Sequence, residues 1–199
     1  MTTELLTFTN CKHTKAELLA SLRRHAELDQ IVQGVYWTNG KGCAVGCSIR
    51  DFAPGEESKH GLYETLFGIE EEMAQLEDNI FEYLPADLAK TWPIRFTEAI
   101  PEGVSLTVPL AKFKVFLLTE VCKFDKLANP QVASAIDAVV ALLNRRIVGD
   151  EPHETEWSAA MSVNWAAMPA RVATRRHAAY GDVWRRVADN LIEILEGTK

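Results

Sequence analysis

The sequence predicts a mainly α-helical protein: a compact domain of about six to eight helices with a long C-terminal helical segment kinked at a proline. Apolar residues recur every three or four positions through most of the 199 residues, as on the buried face of a helix. Residues that typically cap or end helices flank these runs. No two runs of alternating apolar and polar residues are joined by a hairpin turn, so no β-sheet is predicted.

The first helix is indicated by its cap. Thr14 and Glu17 have the spacing of a capping box, in which the hydroxyl and the carboxylate each accept a hydrogen bond from an otherwise unpaired backbone N–H. Apolar residues follow at helical spacing, and we expect the helix to end near Gly34. Asn39-Gly40 then predicts a turn.

Three further helices are predicted in the middle of the chain. Helical spacing resumes over residues 60–84, with Gly68 as an interruption. A shorter helix covers about 87–100, where Pro93 must lie in the first turn or kink the helix. Residues 110–122 predict a helix with an apolar centre, although a buried strand would show the same pattern.

The C-terminal pattern is long. A helix begins at Asn129-Pro130, and a last apolar pattern runs over residues 155–195. As one straight helix this pattern would be about 60 Å long, more than a compact domain of this size can cover, so we predict a kink at Pro169. We therefore expect a helical core domain over residues 1–150 and a segment over 151–199 that packs on it or on a second subunit.

Composition narrows the class of protein. The net charge of −7 argues against nucleic acid as the partner, because phosphate binding favours a positive surface. No apolar run approaches the roughly 18–20 residues of a transmembrane helix, and the N-terminus lacks the pattern of a signal peptide. We expect a cytoplasmic protein with no membrane partner. Its four cysteines should then be unbridged: Cys11, Cys43, Cys47 and Cys122.

The strongest candidate for a chemical site is the run Gly42-Cys43-Ala44-Val45-Gly46-Cys47, with His60 and Glu64 close behind. Cys43 and Cys47 share one helical face if a helix begins near Gly42. A helix N-terminus lowers the pKa of a thiol, His60 could act as the base, and Glu64 could orient it. Cys43, Cys47, His60 and Glu64 are therefore the candidate catalytic residues.

Two other interpretations of this run stay open. Small residues let a second helix pack closely, and free cysteine often behaves as a small buried hydrophobe. The same four side chains are also a conceivable ligand set for a metal. Their C-x3-C spacing is unusual for zinc and no second cysteine pair follows, so we predict no bound metal and no cofactor.

Candidate binding residues lie on either side of the candidate site and in the last segment. Aromatic side chains near the glycine-rich run could line a pocket or simply pack in the core: Tyr36, Trp37 and Tyr63. A local excess of arginine could bind phosphates or an acidic protein face, and includes Arg171, Arg175 and Arg176. The simpler explanation is that it packs, within the chain or across a dimer, against the acidic stretch 70–82, which we otherwise interpret as a solvated helix face. His25 and Asp29 have the spacing for a contact on the first helix.

A set of short motifs lies within residues 14–120. The motifs are Ile31-Val32-Gln33-Gly34-Val35-Tyr36-Trp37, Gly42-Cys43-Ala44-Val45-Gly46-Cys47, His60 with Tyr63-Glu64, Gly68-Ile69, Leu76-Glu77-Asp78, Ile80-Phe81-Glu82, Leu84-Pro85, Trp92-Pro93 and Ala99-Ile100-Pro101. They resemble a family of hypothetical proteins encoded by bacteriophages and prophages, and the C-terminal third resembles it more loosely. The resemblance implies no particular activity. It implies a small intracellular accessory protein that acts on a host process.

Two classes of function follow. The first is an interaction protein that binds a host or phage macromolecule, with a host or phage protein as the expected partner, inhibition of a host defence as one outcome, and a homodimer as a further assembly. The second is a thiol-dependent hydrolase or transferase that uses Cys47 or Cys43 with His60. The two classes differ in geometry, since an enzyme needs sulfur and imidazole within hydrogen-bonding reach in a solvent-connected cleft.

Overall fold

A computed structural model describes residues 4–123, 130–161 and 178–198 of the chain. It confirms the mainly α-helical class. Helices follow one another along the described residues: α1 Lys15–Glu27, α2 Ala44–Arg50, α3 Leu62–Phe67, α4 Glu71–Tyr83, α5 Ala86–Ala89, α6 Trp92–Ala99, α7 Thr107–Phe116, α8 Pro130–Ile147, α9 Glu154–Met161 and α10 Ala178–Glu196. β-Structure in this part of the chain is limited to isolated bridges, Ile31 with Gly42 and Thr38 with Lys41.

Several local predictions are confirmed. Thr14 and Glu17 form the capping box of α1. Gly68 separates α3 from α4 in the left-handed conformation, at φ 69°. A side chain is excluded there by space as well, because a Cβ on Gly68 would lie 2.2 Å from the carbonyl oxygen of Leu6. Pro93 lies in the first turn of α6, where its missing N–H costs no helical hydrogen bond.

The first helix ends earlier than we expected. α1 stops at Glu27 rather than near Gly34, and Asp29 takes a positive φ of 53°. Asp29 also binds Lys41 and Lys90, so its side chain is occupied away from the helix. Residues 30–42 form a loop instead. The ambiguous segment 110–122 is helical rather than extended: α7 continues into a π-helical turn, Leu117–Val121.

Part of the C-terminal prediction lies outside the described residues, namely Pro169 and its neighbours Trp165, Met168 and Val172. Within α10, the predicted apolar stripe is largely buried. Its buried members are Val187, Leu191 and Leu195. Val183, another apolar position of the predicted pattern over 155–195, is 43% exposed.

The described chain groups into two compact units, residues 1–106 with 184–199, and residues 107–183. In the first unit α2 contacts α1, α4 and α6, and every residue from Ala44 to Ile49 is buried. In the second unit α8 contacts α7 and α9 around a small apolar core: Ala111, Val139, Leu142, Leu143 and Ala160. The sequence-based division at residue 150 stays a prediction, because much of the segment 151–199 lies outside the described residues. Within the described ranges, every helix is too short or too polar to cross a lipid bilayer.

Candidate functional site

The glycine-rich run places α2 directly against the preceding loop. The N–H of Cys43 donates to the carbonyl of Val35 at 2.7 Å, and the next carbonyl, that of Tyr36, points at two glycines. A Cβ on Gly42 would lie 2.2 Å from the Tyr36 oxygen, and one on Gly46 would lie 1.6 Å from it. Only glycine allows this approach. Gly42 and Gly46 are therefore needed for close packing, although the partner is the preceding loop and not the second helix that one of our interpretations proposed.

Both thiols of the run are free and buried, at 1% exposure for Cys43 and 0% for Cys47. The sulfur of Cys43 accepts a hydrogen bond from the N–H of Gly46, and the Cys47 thiol donates to the carbonyl of Gly42, each at 3.4 Å. Burial raises the pKa of Cys47 to about 12 and raises that of Cys43 further. The expected lowering of the thiol pKa is wrong, because desolvation outweighs the effect of the helix N-terminus.

His60 pairs with an unexpected carboxylate. Its Nε2 lies 3.0 Å from Oδ2 of Asp78 on α4, and both side chains are 14% exposed. The ring of Tyr36 meets the imidazole edge to face, with ring centroids 5.8 Å apart. Glu64, which we expected to orient His60, is exposed and accepts from the backbone N–H of Glu71 at 3.3 Å. Asp78 lies 18 positions after His60, which is too far along the chain for spacing rules to predict this pair.

Sulfur and oxygen atoms that could bind a metal ion cluster around Asp78. The Cys43 sulfur and carboxylate oxygens of Asp78 and Glu82 all lie within 4.8 Å of one another. The Cys43 thiol and His60 therefore share Asp78 as a neighbour. Cys47 instead faces the carbonyls of Gln30 and Gly42.

Glu82 is fixed by the loop. Its two carboxylate oxygens accept from the backbone N–H of Gly34 at 2.8 and 3.1 Å. Burial, together with the nearby Asp78, raises the pKa of Glu82. In the described part of the chain, neither carboxylate forms an ion pair with a lysine or arginine. The Oδ1 atom of Asp78 is sealed from solvent and accepts no hydrogen bond of normal geometry.

Beneath this cluster lies a second, fully buried polar pair. The Tyr63 hydroxyl donates to Oε2 of Glu77 at 2.7 Å, and the indole N–H of Trp92 donates to the Glu77 carbonyl. Burial raises the pKa of Glu77 to about 8 and raises that of Tyr63 as well. Tyr63 is 1% exposed and belongs to the core rather than to a surface pocket. The stretch 70–82 is accordingly not a uniformly solvated face.

Trp37 and His25 belong to a separate group. His25 accepts or donates at Nδ1 with Gln30, 2.6 Å away, and its Nε2 lies 3.1 Å from Oδ2 of Asp51. The spacing allowed a contact between His25 and Asp29, but Asp29 instead accepts hydrogen bonds from Lys41 and Lys90. The guanidinium of Arg50 lies over the Trp37 ring, 5.2 Å from its centroid, and His25 meets the same ring edge to face. Trp37 is thus occupied by packing.

The three candidate arginines, Arg171, Arg175 and Arg176, lie outside the described residues. Asp78 and Glu82 belong to the acidic stretch 70–82 and were not among the candidate site residues predicted from the sequence. Their i, i+4 spacing places them on one face of α4, and this was the available signal. It was ambiguous, because the same spacing is common on solvated helices.

Comparison of the chain with protein-family models, with curated proteins and with solved structures gave no match in any of the three.

Proposed function

We propose that this chain is a cytoplasmic accessory protein of phage or prophage type that binds a host or phage protein and thereby inhibits a host defence. The observation that supports binding most directly is a group of exposed aromatic and aliphatic side chains on the loop before α2 and at the end of α4. Val35, Tyr36 and Tyr83 are 39%, 42% and 46% exposed. We call these three residues the aromatic surface.

Hydrogen bonds and a ring stack hold the aromatic surface in place. The side-chain amide of Gln33 donates to the carbonyls of Phe81 and Leu84, at 2.7 and 2.9 Å, and therefore ties the loop to the end of α4. The Tyr83 ring stacks on Trp184, with centroids 4.8 Å apart. Rigid aromatic side chains give large contact area at a small entropic cost, which is why Tyr and Trp dominate protein-binding hot spots.

The charge and the family resemblance support the choice of partner. A net charge of −7 disfavours nucleic acid as the partner. The resemblance to phage and prophage proteins supports a host or phage protein as the partner and a host process as the target. A second copy of the chain is the other assembly that this surface could support.

The thiol enzyme is the weaker candidate. Both sulfurs are buried, both are hydrogen-bonded within the backbone of α2 and its loop, and both have raised pKa values. A nucleophilic cysteine needs an accessible thiolate. His60 is engaged by Asp78 rather than by either sulfur.

The test is affinity capture with the full chain as bait, from lysates of the host bacterium before and after phage infection. We expect one stoichiometric partner that is retained by wild type and lost with Tyr36→Ser and Tyr83→Ser. Leu28→Ser is the matched control, because Leu28 is 60% exposed but lies at the end of α1, outside the aromatic surface. Equal capture by all four proteins, or no partner in either lysate, would contradict the proposal.

A further inference from the structure

Three side chains from two separate elements bring metal-binding atoms together. Cys43 precedes α2, whereas Asp78 and Glu82 lie one turn apart on α4. Their donor atoms lie within 4.8 Å of one another. In a tetrahedral zinc site with bonds of about 2.0–2.3 Å, the donors lie about 3.3–3.6 Å apart, so small side-chain rotations of about 1 Å would close this set around an ion.

The electrostatics of the cluster favour a cation. Two carboxylates and a buried sulfur lie together, and no lysine or arginine of the described residues pairs with the carboxylates. Cys43 is 1% exposed, so solvent screens the negative charge near its sulfur only weakly. A buried carboxylate oxygen without a good hydrogen bond costs free energy, and Oδ1 of Asp78 accepts none of normal geometry, although the Cys43 thiol and the Tyr36 hydroxyl interact with this carboxylate. A divalent ion would satisfy this oxygen and offset the repulsion between the carboxylates.

Each donor is already held by a neighbour. His60 contacts Oδ2 of Asp78, which leaves Oδ1 for the ion. The Gly34 N–H orients the carboxylate of Glu82, and the Gly46 N–H donates to the sulfur of Cys43. Hydrogen bonds of this kind to the ligands orient them and tune their affinity for metal.

We propose that Cys43, Asp78 and Glu82 form a binding site for a divalent transition-metal ion of the zinc class, with His60 as a positioning residue and a fourth coordination position open to water. One sulfur, two carboxylates and an open position suit zinc or a metal of similar ligand preference. On binding, the Cys43 thiol loses its proton to solvent and the thiolate bonds the ion, so one proton is released for each ion bound.

This ligand set differs from the one that the sequence suggested. Cys47 and Glu64 are replaced by Asp78 and Glu82, which lie more than thirty positions after Cys43. Our expectation of no metal depended on the C-x3-C spacing and on the lack of a second cysteine pair, and this proposal departs from that expectation. The proposal is independent of the proposed protein-binding function.

The test is titration of the full, metal-free chain with Co²⁺, which reports a thiolate ligand through a sulfur-to-cobalt charge-transfer band in the near ultraviolet. We expect the band in wild type and in Cys47→Ser, and its loss in Cys43→Ser. Cys47→Ser is the matched control, because its buried sulfur lies four positions after Cys43, within α2 and outside the cluster. Calorimetric titration with Zn²⁺ in two buffers of different ionisation enthalpy then measures the released proton.

Glu82→Gln is the second variant, for the case in which Cys43→Ser does not fold. Its side-chain amide keeps an oxygen that can accept the hydrogen bond from the Gly34 N–H. We expect it to weaken zinc binding at least about tenfold and to keep the far-ultraviolet circular dichroism of wild type. His60→Gln, at the positioning residue, should weaken binding while keeping the charge-transfer band. The proposal is overturned if wild type shows no band, if Cys43→Ser keeps the band, or if Glu82→Gln binds Zn²⁺ as tightly as wild type.

Discussion

Replacing Gly46 by alanine tests the packing of the glycine-rich run against the loop before it. In an unobstructed helix, Gly→Ala stabilises by about 1 kcal/mol, because alanine has the higher helix propensity. Here the added Cβ would lie 1.6 Å from the oxygen and 2.6 Å from the carbonyl carbon of Tyr36. The carbonyl would have to move by at least about 1.4 Å to restore a separation of 3.0 Å.

The Tyr36 carbonyl cannot move by this amount without disturbing the backbone around it. The clashing atoms are backbone, and the adjacent Val35 carbonyl accepts the N–H of Cys43 at 2.7 Å, so displacing the loop strains or breaks this hydrogen bond. Overpacking of a rigid site typically costs 1–3 kcal/mol. We expect Gly46→Ala to lower the free energy of unfolding by about 3 kcal/mol, the upper end of that range, because the backbone itself must shift.

The assay is urea unfolding monitored by tryptophan fluorescence, with Gly61→Ala as the matched control. Gly61 has φ −60°, and its added Cβ would lie 3.4 Å from the end of the flexible Glu71 side chain. The control should therefore change the free energy of unfolding by less than about 0.5 kcal/mol. If Gly46→Ala unfolds at the same urea concentration as wild type or a higher one, the close approach of Tyr36 to α2 does not constrain the fold and the argument fails.

Three other outcomes are expected. The pKa of Glu77 is raised from 4.5 to about 8. Between pH 4.5 and about 8, the folded protein therefore keeps the proton on Glu77, whereas the unfolded chain has lost it. The free energy of unfolding should fall as pH rises through that window, by at most about 1.4 kcal/mol per pH unit, and Glu77→Gln should remove this component; equal slopes in both proteins would contradict it. Iodoacetamide should modify Cys11 in the folded protein and reach Cys43 and Cys47 only in urea, as read by mass spectrometry; rapid native labelling of either buried thiol would restore the enzyme hypothesis. Deleting residues 170–199 removes the buried side chains of Val187, Leu191 and Leu195, and should cause aggregation or loss of cooperative unfolding, whereas a soluble product with an unchanged melting temperature would show the segment to be dispensable.

The sequence alone determined the helical class and several helix ends, since these depend on contacts within a few residues. The Thr14–Glu17 cap spans one turn, and the break at Gly68 and the start of α6 at Pro93 follow from the backbone preferences of single residues. The glycine spacing of the run 42–47 also indicated close packing correctly.

The tertiary structure decided the chemistry. Whether a thiol near a helix N-terminus is acidic depends on its burial, and α2 is enclosed by α1, α4 and α6, so desolvation raised the pKa of Cys43 and Cys47. Asp78 became the partner of His60 because α4 packs against α2 and α3, at a distance along the chain that spacing rules do not cover. Periodicity assigns a residue to one face of a helix, but which other elements cover that face is set by long-range packing of the whole unit.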